Sequence, residues 1–533
     1  MELGRKLFSI SDRFLTEGRG SDLGKENANF IRSLPVLENI LLGEICKDIL
    51  FTKIYKDLPI IKQLHDLGFI YHHQSAKLGP YCIGLSSQDL AVKGLRSNAT
   101  NERASSPPKR IDTLLSQAAN LICLLAQEVS GATSINDLST VLAGYLYHQE
   151  TELGQVICHD YIQNAWQSFM YNINLPFRSG NSPFSNVTLD FSKATPTLRD
   201  KSVAYAGEYL SYTYGDIPSV YYDRINYAFI DAMTRGDSLH NPFTFPLITV
   251  NITDDFDYKN PCWLYFLERS ESFGGFYLQN YCTTPFTEEA RKINPFHSAY
   301  DLGMLYSNCC RVTFDINELL GVTGSNPFAS GSGVGGINVI GINLNRIMWL
   351  SQGKEELLYP MVDYIIDIAA EALETKRRWL KQNWVDLFPY LSYYVKNDTT
   401  LFSIISVLGA HEGLKSAGFA RGIYDEQGKI IAHNLAKHIH DKVKALTQQY
   451  GNAFTLEFAP SESAACKLAE KDLSFACSFV DNPDIGVTDE NGAQFFKRLV
   501  ESCHAINNSL LFREVADLED EEEIKPEEIL CHD

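Results

Sequence analysis

The sequence predicts an α/β fold, because short apolar segments alternate with long helical patterns. Two long segments, residues 354–383 and 432–450, carry apolar side chains at helical spacing. Strands separated by helices of this length indicate helices packed around one large sheet or barrel. Six short apolar segments, each ended by Asn, Asp, Gly or Pro, are typical of buried strands: residues 168–175, 185–191, 244–252, 276–281, 310–314 and 337–344.

The first part of the chain is predicted to be helical. Residues 34–60 carry apolar side chains at helical spacing, and a Pro- and Ser-rich break follows at residues 97–108. Asp112 comes shortly after this break and is the predicted N-cap of a helix that extends to residue 130. Six apolar residues would share one broad face of that helix: Leu114, Leu115, Ala118, Leu121, Ile122 and Leu125.

The composition is that of a globular protein, with 533 residues, of which 45% are hydrophobic and 21% charged. A net charge of −20 argues against binding nucleic acid or an anionic membrane through a broad basic face. No apolar run is long enough to span a bilayer, and we see no signal peptide, so we expect a cytoplasmic protein. Twelve cysteines in a cytoplasmic chain of this length are not a disulfide framework. The absence of a CxxC motif argues against a zinc ribbon or a thioredoxin-type motif.

Two motif matches fail on their context. Residues 331–336 have GxGxxG spacing, but a predicted strand follows them, so no helix N-terminus is there to hold a pyrophosphate. His411-Glu412 does not continue to HExxH, because position 415 is Lys. We interpret the glycines as a turn before a strand and the histidine as a solvated or capping side chain.

Two cysteine positions lie where the chain turns. Cys309 and Cys310 are adjacent at a predicted junction of loop and strand, and Cys82 follows Gly79-Pro-Tyr. Adjacent cysteines rarely bridge to each other, because the geometry is strained. On spacing alone, we favour the interpretation that these cysteines are small buried hydrophobic side chains over a catalytic role. Composition alone does not choose between the two interpretations.

A resemblance to a known family favours a catalytic role for these cysteines. Residues 177–190, Phe-Arg-Ser-Gly-Asn-Ser-Pro-Phe-Ser-Asn-Val-Thr-Leu-Asp, resemble a signature segment of the anaerobic (class III) ribonucleotide reductases. Each further match is weak alone, but together they run in order over most of the chain, as in the family's catalytic barrel. These matches are His65-Asp-Leu-Gly-Phe-Ile70, Tyr81-Cys82, Asn241-Pro-Phe-Thr-Phe-Pro-Leu-Ile-Thr-Val-Asn-Ile-Thr253, Gln279-Asn280, Cys309-Cys-Arg311, Asn338-Val-Ile-Gly-Ile-Asn-Leu-Asn-Arg346 and Ala459-Pro-Ser-Glu-Ser463.

The resemblance implies a ten-stranded α/β barrel of the glycyl-radical enzyme and ribonucleotide reductase type, with a finger loop through its centre. Residues 1–130 would then form an N-terminal helical layer of the catalytic domain. Residues 131–480 would form the barrel, with the finger loop near residues 306–314. Residues 481–533 would form a C-terminal extension, whose run of Asp and Glu between residues 516 and 528 we expect to be a solvated tail.

The resemblance also implies an oxidoreductase, an anaerobic ribonucleoside-triphosphate reductase that forms deoxyribonucleotides by thiyl-radical chemistry. Cys310, directly before Arg311, matches the finger-loop cysteine whose thiyl removes the 3′ hydrogen of the ribonucleotide. Cys82 matches the cysteine that supplies reducing equivalents while the 2′ hydroxyl leaves as water. Thiols suit this step, because their weak S–H bond exchanges a hydrogen atom reversibly, and a closed, dry site protects the radical.

Polar residues of the matched segments are further candidates. Glu462 would hold ribose hydroxyls or move a proton. It would equally serve as a carboxylate at a helix N-terminus, with a neighbouring serine as the cap. Ser463 and the loop amides around it are candidates for binding the substrate phosphate. Asn308 is a candidate partner of the sugar or a turn-forming residue. Two residues of the signature strand are candidates to line the pocket: Asn186 and Thr188.

Two parts of the family pattern are absent from the sequence. The family's paired CxxC zinc site is missing, and so is its glycyl-radical loop, which resembles Arg-Val-x-Gly-Tyr. We therefore expect no metal in this chain and a glycyl radical supplied in trans by a separate fragment that also carries the zinc, after generation by a radical-SAM activase. Four residues are candidates for docking or partial metal ligation, although chance explains any one of them better: Cys503, His504, Cys531 and His532.

The reductant and the partners complete the expectations. The formate-dependent branch of the family places an Asn where this sequence has Gly336, so formate and a redoxin are both candidate reductants. The expected partners are ribonucleoside triphosphates, nucleotide effectors and a second copy in a homodimer, with no nucleic acid and no membrane. Two alternatives stay open: a truncated or inactive nucleotide-binding barrel that acts as a regulatory subunit, and a glycyl-radical-type barrel with another substrate.

Overall fold

The structure is a computed structural model, and its description covers ten segments of the chain. These are residues 2–18, 31–177, 180–195, 197–253, 255–280, 305–307, 313–315, 333–396, 398–457 and 462–481. The helices of these segments are α1 (Glu2–Thr16), α2 (Leu34–Ile49), α3 (Ile60–Leu67), α4 (Ser87–Lys93), α5 (Ile111–Glu128), α6 (Leu138–Thr151), α7 (His159–Asn174), α8 (Ser219–Arg235), α9 (Pro261–Phe273), α10 (Leu344–Ser351), α11 (Glu355–Leu387), α12 (Leu391–Tyr394), α13 (Ala410–Ser416), α14 (Glu426–Tyr450) and α15 (Glu462–Asp481).

The predicted long helices are confirmed as α5, α11 and α14, but one predicted cap is wrong. All six apolar residues predicted for one face of α5 are buried, and none is more than 1% exposed. The N-cap of α5 is Arg110, whose backbone is extended, and Asp112 lies in the first turn. There the carboxylate of Asp112 pairs with Arg110 and suits the positive end of the helix dipole.

The strand predicted at residues 168–175 is wrong, because residues 168–174 belong to α7 and Leu175 is its C-cap. The buried side chains of α7 recur every three or four residues from Ile162 through Trp166 and Phe169 to Ile173. This helical period begins before residue 168. Residues 168–175 taken alone show only a short apolar run, which fits a strand equally well.

The strands of the described segments are β1 (Ile70–His72), β2 (Ile83–Leu85), β3 (Thr133–Ile135), β4 (Ser185–Leu189), β5 (Ser202–Tyr205), β6 (Glu208–Thr213), β7 (Leu247–Ile252), β8 (Phe276–Asn280), β9 (Leu305–Ser307), β10 (Thr313–Asp315), β11 (Val334–Asn343), β12 (Leu401–Leu408) and β13 (Phe454–Glu457). The strands predicted at residues 185–191, 244–252, 276–281 and 337–344 are confirmed as β4, β7, β8 and β11. The strand predicted at residues 310–314 overlaps β10. Strands β1, β2 and β3 have three residues each, too few for their period to be recognised in the sequence.

The described residues belong to two compact units. The first contains those of residues 1–46, 76–336 and 380–401, and the second contains those of residues 47–75, 337–379 and 402–533. No helix in the described segments is both long and apolar enough to cross a membrane.

A parallel sheet organises the first unit. Its strands are β2, β3, β4, β7 and β8, and their order across the sheet is the same as their order along the chain. The register aligns Gly84 with Ser134, Ser134 with Asn186, and Asn186 with Leu247. Helices α5 to α9 lie in the connections, as parallel strands require, and α5 contacts β3 while α6 contacts β4.

The second unit contains two further strand pairs. Strand β1 is antiparallel to the end of β11, with Ile70 opposite Ile342. Strand β12 is parallel to β13, with Ser403 opposite Phe454. Helix α14 packs on β13, and α10 packs on α13.

Candidate active site

One face of the parallel sheet in the first unit is polar. Side chains alternate between the two faces of a strand, and paired residues of parallel strands point the same way. The register therefore places Ser134, Asn186 and Leu247 on one face, with Thr188 opposite Thr249 two residues further on. The polar members of this face are all buried: Ser134, Asn136, Asn186, Thr188 and Thr249. We call these five residues the polar face.

Hydrogen bonds satisfy part of this polar face. The hydroxyl of Thr249 donates to Oδ1 of Asn186 at 2.9 Å, and Nδ2 of Asn186 donates to Oδ1 of Asn136 at 3.5 Å. Within the described residues, the hydroxyl of Thr188 has no hydrogen-bond partner, although it is only 1% exposed. A buried hydroxyl without a partner is costly in a folded protein, so its position suits contact with a polar ligand or a water molecule.

Cys82 lies at the end of the polar face where β2 begins. It precedes Gly84 by two residues, and Gly84 is opposite Ser134, so the same alternation places its thiol on this face. The thiol is 3% exposed and packs against Ala132, Tyr81 and Leu247. The backbone N–H of Ala132 donates to its Sγ at 3.2 Å. The structure thus brings three sequence-predicted residues, Cys82, Asn186 and Thr188, onto one face.

Glycines crowd the backbone around Cys82. A Cβ atom on Gly131 would lie 2.6 Å from the Sγ of Cys82 and 2.5 Å from the carbonyl oxygen of Tyr81. On the other side, Gly336 donates its N–H to the carbonyl of Cys82 at 2.9 Å and accepts from the N–H of Tyr81 at 2.8 Å. Gly336 is therefore hydrogen-bonded directly to the backbone of Cys82.

A cleft of about 710 Å³ opens beside the same end of the sheet. Leu247 lines this cleft and also packs against Cys82, so a single side chain connects the two. Its other walls carry both aromatic and polar groups, among them Tyr171, Asn174 and Tyr277. Such a mixture is typical of small-molecule sites, in which apolar walls bury the ligand and a few polar groups orient it.

Two buried carboxyl groups lie at the opposite, carboxyl end of the strands. Asp137 accepts from the backbone N–H of Ser87 at 2.7 Å and from its hydroxyl at 2.8 Å, and burial raises its pKa to about 6. Asp190 follows β4, and burial raises its pKa to about 7, against the opposing effect of a hydrogen bond from Asn251. Neither residue was predicted from the sequence. For Asp190 the sequence did contain a signal, because the alternation Asn186-Val-Thr188-Leu-Asp190 places polar side chains on one face of a strand.

A second buried polar cluster lies in the second unit. The hydroxyl of Tyr55 and the Nε2 of His72 are 2.8 Å apart, and Asn338 Nδ2 lies 3.2 Å from the same nitrogen. Lys376 is fully buried and, among the described residues, its Nζ has no hydrogen-bond partner. Burial lowers the pKa of Lys376 to about 7, and burial followed by the charge of Lys376 holds the pKa of His72 well below its usual value. No sequence motif marks these residues.

Several predicted site residues lie outside the described part of the chain. Asn308 and Cys310 fall between β9 and β10, which pair antiparallel with Ser307 opposite Thr313. The side chains of Glu462 and Ser463 are not described either, but Glu462 is the first residue of α15, as its helix-terminal interpretation requires. Four more candidates and the acidic tail lie beyond residue 481: Cys503, His504, Cys531 and His532.

The sequence of this chain is similar to those of one known family. A family model described as anaerobic ribonucleoside-triphosphate reductase matches residues 26–516. The anaerobic ribonucleoside-triphosphate reductase of Haemophilus influenzae is 23% identical over 501 residues, which cover 86% of this chain and 64% of that protein. The Escherichia coli enzyme of the same name is 22% identical over 507 residues, which cover 87% and 64%. The chain thus spans less than two thirds of the length of these curated relatives.

Solved structures show the same fold. The anaerobic ribonucleotide reductase of Thermotoga maritima, crystallised with dATP in its specificity site, matches with a TM-score of 0.66 at 17% identity, covering 96% of this chain and 87% of that one. Another anaerobic ribonucleotide reductase matches with a TM-score of 0.67 at 16% identity, covering 97% and 82%. The α/β fold implied by the resemblance is therefore confirmed, while the count of ten strands stays a prediction. On its sequence match and its fold, the chain belongs to the anaerobic ribonucleoside-triphosphate reductase family.

Proposed function

We propose that this chain is the catalytic barrel of an anaerobic ribonucleoside-triphosphate reductase, which converts ribonucleotides to deoxyribonucleotides by thiyl-radical chemistry. The observation that carries the proposal is the placement of Cys82. Its thiol is buried at the end of the polar face that also presents Asn186 and Thr188. A buried thiol beside an unpartnered threonine hydroxyl suits a site for radical reduction of a sugar, because such a site excludes water.

Each residue has a proposed part in the reaction. Cys310 removes the 3′ hydrogen atom of the ribose, and the 2′ C–O bond then breaks so that the hydroxyl leaves as water. Glu462 donates or accepts the proton that moves with this hydroxyl. Two electrons reach the sugar, with Cys82 delivering reducing equivalents, and the 3′ hydrogen returns at the end. Thr188 and Asn186 line the sugar pocket, and Asn308 and Ser463 contact the substrate.

The radical that starts the reaction is proposed to come from a glycyl-radical segment that the 533 residues do not contain. When present, such a radical abstracts the hydrogen atom of a thiol. What the described part of this chain contributes is the second thiol of the reaction, Cys82, which is only 3% exposed. A radical-SAM activase and a zinc-bearing segment, neither of which the residues of this chain provide, belong to the same proposal.

The two electrons come from formate or from a redoxin dithiol. Formate would leave as CO₂, and a dithiol would leave as a disulfide, so either one balances the loss of the hydroxyl as water. Gly336 favours the dithiol, because it is hydrogen-bonded directly to Cys82 yet offers no side-chain amide for a formate ion. Measuring CO₂ release from labelled formate during turnover distinguishes the two reductants.

The proposed ligands are ribonucleoside triphosphates as substrates and nucleotides as effectors. The Thermotoga maritima reductase crystallised with dATP and CTP supports this proposal by analogy of fold. A homodimer, a cytoplasmic location and the division of the chain at residues 130 and 480 also stay predictions.

The test combines this chain with a polypeptide that carries Arg-Val-x-Gly-Tyr and with an activating radical enzyme, under anaerobic conditions. We expect formation of deoxyribonucleotide that Cys82→Ala and Cys310→Ala each abolish. The control is Cys158→Ala, which changes an exposed cysteine away from the polar face. Nucleotide binding without turnover would instead support a regulatory barrel. Absence of both, or turnover that does not depend on Cys310, would reject the proposal.

A further inference from the structure

A buried ion pair holds the helix that begins at Glu462. Asp472, on α15, accepts hydrogen bonds at its Oδ1 from Nε of Arg346 at 2.8 Å and from Nδ2 of Asn343 at 2.8 Å. Its Oδ2 accepts from Nδ2 of Asn345, also at 2.8 Å. All of these residues belong to the second unit. We call this arrangement the Asp472 clamp.

The guanidinium of Arg346 makes the clamp rigid. Its side chain is fully buried, and it donates two more hydrogen bonds of 2.9 Å, to the carbonyls of Leu67 and Lys471. The ring of Phe475 lies 3.9 Å from its carbon centre. Burial lowers the pKa of Arg346, though only to about 10, so the group is charged at neutral pH. A planar cation with this many fixed partners has one available geometry.

The side chains of α15 place the clamp on the packed face of the helix. Ala464 and Leu468 are buried at intervals of four residues, and Asp472 and Phe475 continue the same row. Gly68, which ends α3 and has a φ of +86°, lies close to α15. A Cβ atom at Gly68 would lie only 2.8 Å from the Cβ of Lys471. The clamp therefore fixes both the axis of α15 and its rotation about that axis.

We propose that Asp472 and Arg346 are positioning residues for Glu462. Glu462 is the first residue of α15, ten residues before Asp472, which corresponds to about 15 Å along one continuous helix. Loosening a helix at that distance displaces its amino end, and a displacement of about 1 Å at a reacting group costs roughly 100-fold in rate. The inference deepens the proposed function and rests on the role assigned there to Glu462.

The test uses Asp472→Asn, with Glu470→Gln as the matched control. Both changes replace an acid by its isosteric amide on α15, but Glu470 is exposed and Asp472 is in the clamp. In Asp472→Asn an N–H₂ group replaces one of the two acceptor oxygens, so it faces either the donors of Arg346 and Asn343 or the donor of Asn345. We expect amide exchange at residues 464–470 to quicken at least tenfold in Asp472→Asn and to stay unchanged in Glu470→Gln.

A double-mutant cycle tests whether the clamp acts through Glu462. We expect Asp472→Asn to lower kcat at least tenfold in the wild-type background and less than twofold when Glu462 is already Gln. Equal losses in both backgrounds, or unchanged amide exchange at residues 464–470, would overturn the proposal. If the wild-type chain forms no deoxyribonucleotide, the proposed function fails, while the exchange measurement still decides whether the clamp orders the helix.

A milder variant covers the case in which Asp472→Asn does not fold. Asn345→Ala removes one hydrogen bond to Asp472 and keeps the ion pair. We then expect the same changes in exchange and in kcat, at about threefold each. Wild-type exchange and wild-type turnover in Asn345→Ala would reject the proposal in that case.

Discussion

The hydroxyl of Thr249 on β7 donates to Oδ1 of Asn186 on β4 at 2.9 Å, which joins two parallel strands across the polar face. Thr188, the register partner of Thr249, has a hydroxyl with no hydrogen-bond partner within the described residues. Thr188 and Thr249 are thus neighbours in the sheet and similarly buried, but only the hydroxyl of Thr249 is hydrogen-bonded. This contrast makes them a matched pair for mutation.

Thr249→Val should destabilise the protein, whereas Thr188→Val should not. The first change leaves the buried Oδ1 of Asn186 without its donor, which costs about 1–3 kcal/mol. The second replaces a hydroxyl that already lacks a partner, so the free energy of unfolding should stay within about 0.5 kcal/mol of wild type or rise. Urea unfolding of both variants measures the difference. Equal losses would contradict this account of the polar face. A fall in turnover for Thr188→Val, with stability unchanged, would assign its hydroxyl to the substrate.

Gly131→Ala should damage the site through Cys82. The added Cβ meets the Sγ of Cys82 and the carbonyl oxygen of Tyr81 well inside van der Waals distance, so the backbone around the thiol must move. Overpacking of this kind costs about 1–3 kcal/mol. Gly4→Ala, which adds its Cβ in open space on α1, should be neutral or stabilising. Chemical denaturation and the rate of alkylation of Cys82 in the folded protein check both. An alkylation rate equal to wild type in Gly131→Ala would rule out the effect on the thiol.

Asp190 should make stability fall as pH rises from about 4 to about 7. Its folded-state pKa, about 7, lies above its usual value of 3.8, so in this window the folded state keeps a proton that the unfolded state has lost. Each pH unit in the window then costs up to about 1.4 kcal/mol. Asp190→Asn should remove this slope and be more stable than wild type above pH 7, with no difference below pH 4.

Asp255 provides the control of opposite sign. Partial burial raises the pKa of Asp255, but this effect is outweighed. Hydrogen bonds from Lys193 and Thr253, together with the charge of Arg199, lower the pKa to about 2. It therefore contributes stability above pH 4 that is lost as pH falls toward 2. Unfolding midpoints in urea across pH 2 to 8 test both aspartates. Parallel pH profiles for Asp190→Asn and wild type would contradict the first prediction.

Lys376→Met should stabilise the protein at neutral pH. The amine is buried without a partner among the described residues, and its pKa of about 7 lies below its usual value of 10.5. Between these values the unfolded state binds the proton that the folded state has released, so wild-type stability rises with pH. The variant should gain on the order of 1–3 kcal/mol at pH 7, and this gain should shrink toward pH 10.5. Lys381→Met, at an exposed position of α11, should show no such pH dependence. A destabilised Lys376→Met would show that the amine makes a favourable interaction.

Much of the fold and part of the site were predictable from the sequence. The helical faces of α5 and α11 and the strands β4, β7 and β11 have enough residues for their period to be read. The segments that match the family also identified Cys82, Asn186 and Thr188 as candidate site residues from the sequence. The three-residue strands β1, β2 and β3 and the extent of α7 were missed or misassigned, because a short apolar run fits a strand and a buried helix equally well.

Tertiary contacts set which residues share a surface and which of them are charged. The register of β2, β3, β4 and β7 brings Cys82 onto the face of Asn186 and Thr188, and hydrogen bonds between strands distant in sequence set that register. The shifted pKa values of Asp190 and Lys376 follow from burial, which depends on neighbours supplied by several helices and strands. The residue types, their local periods and the membership of the family follow from the sequence without any knowledge of these contacts.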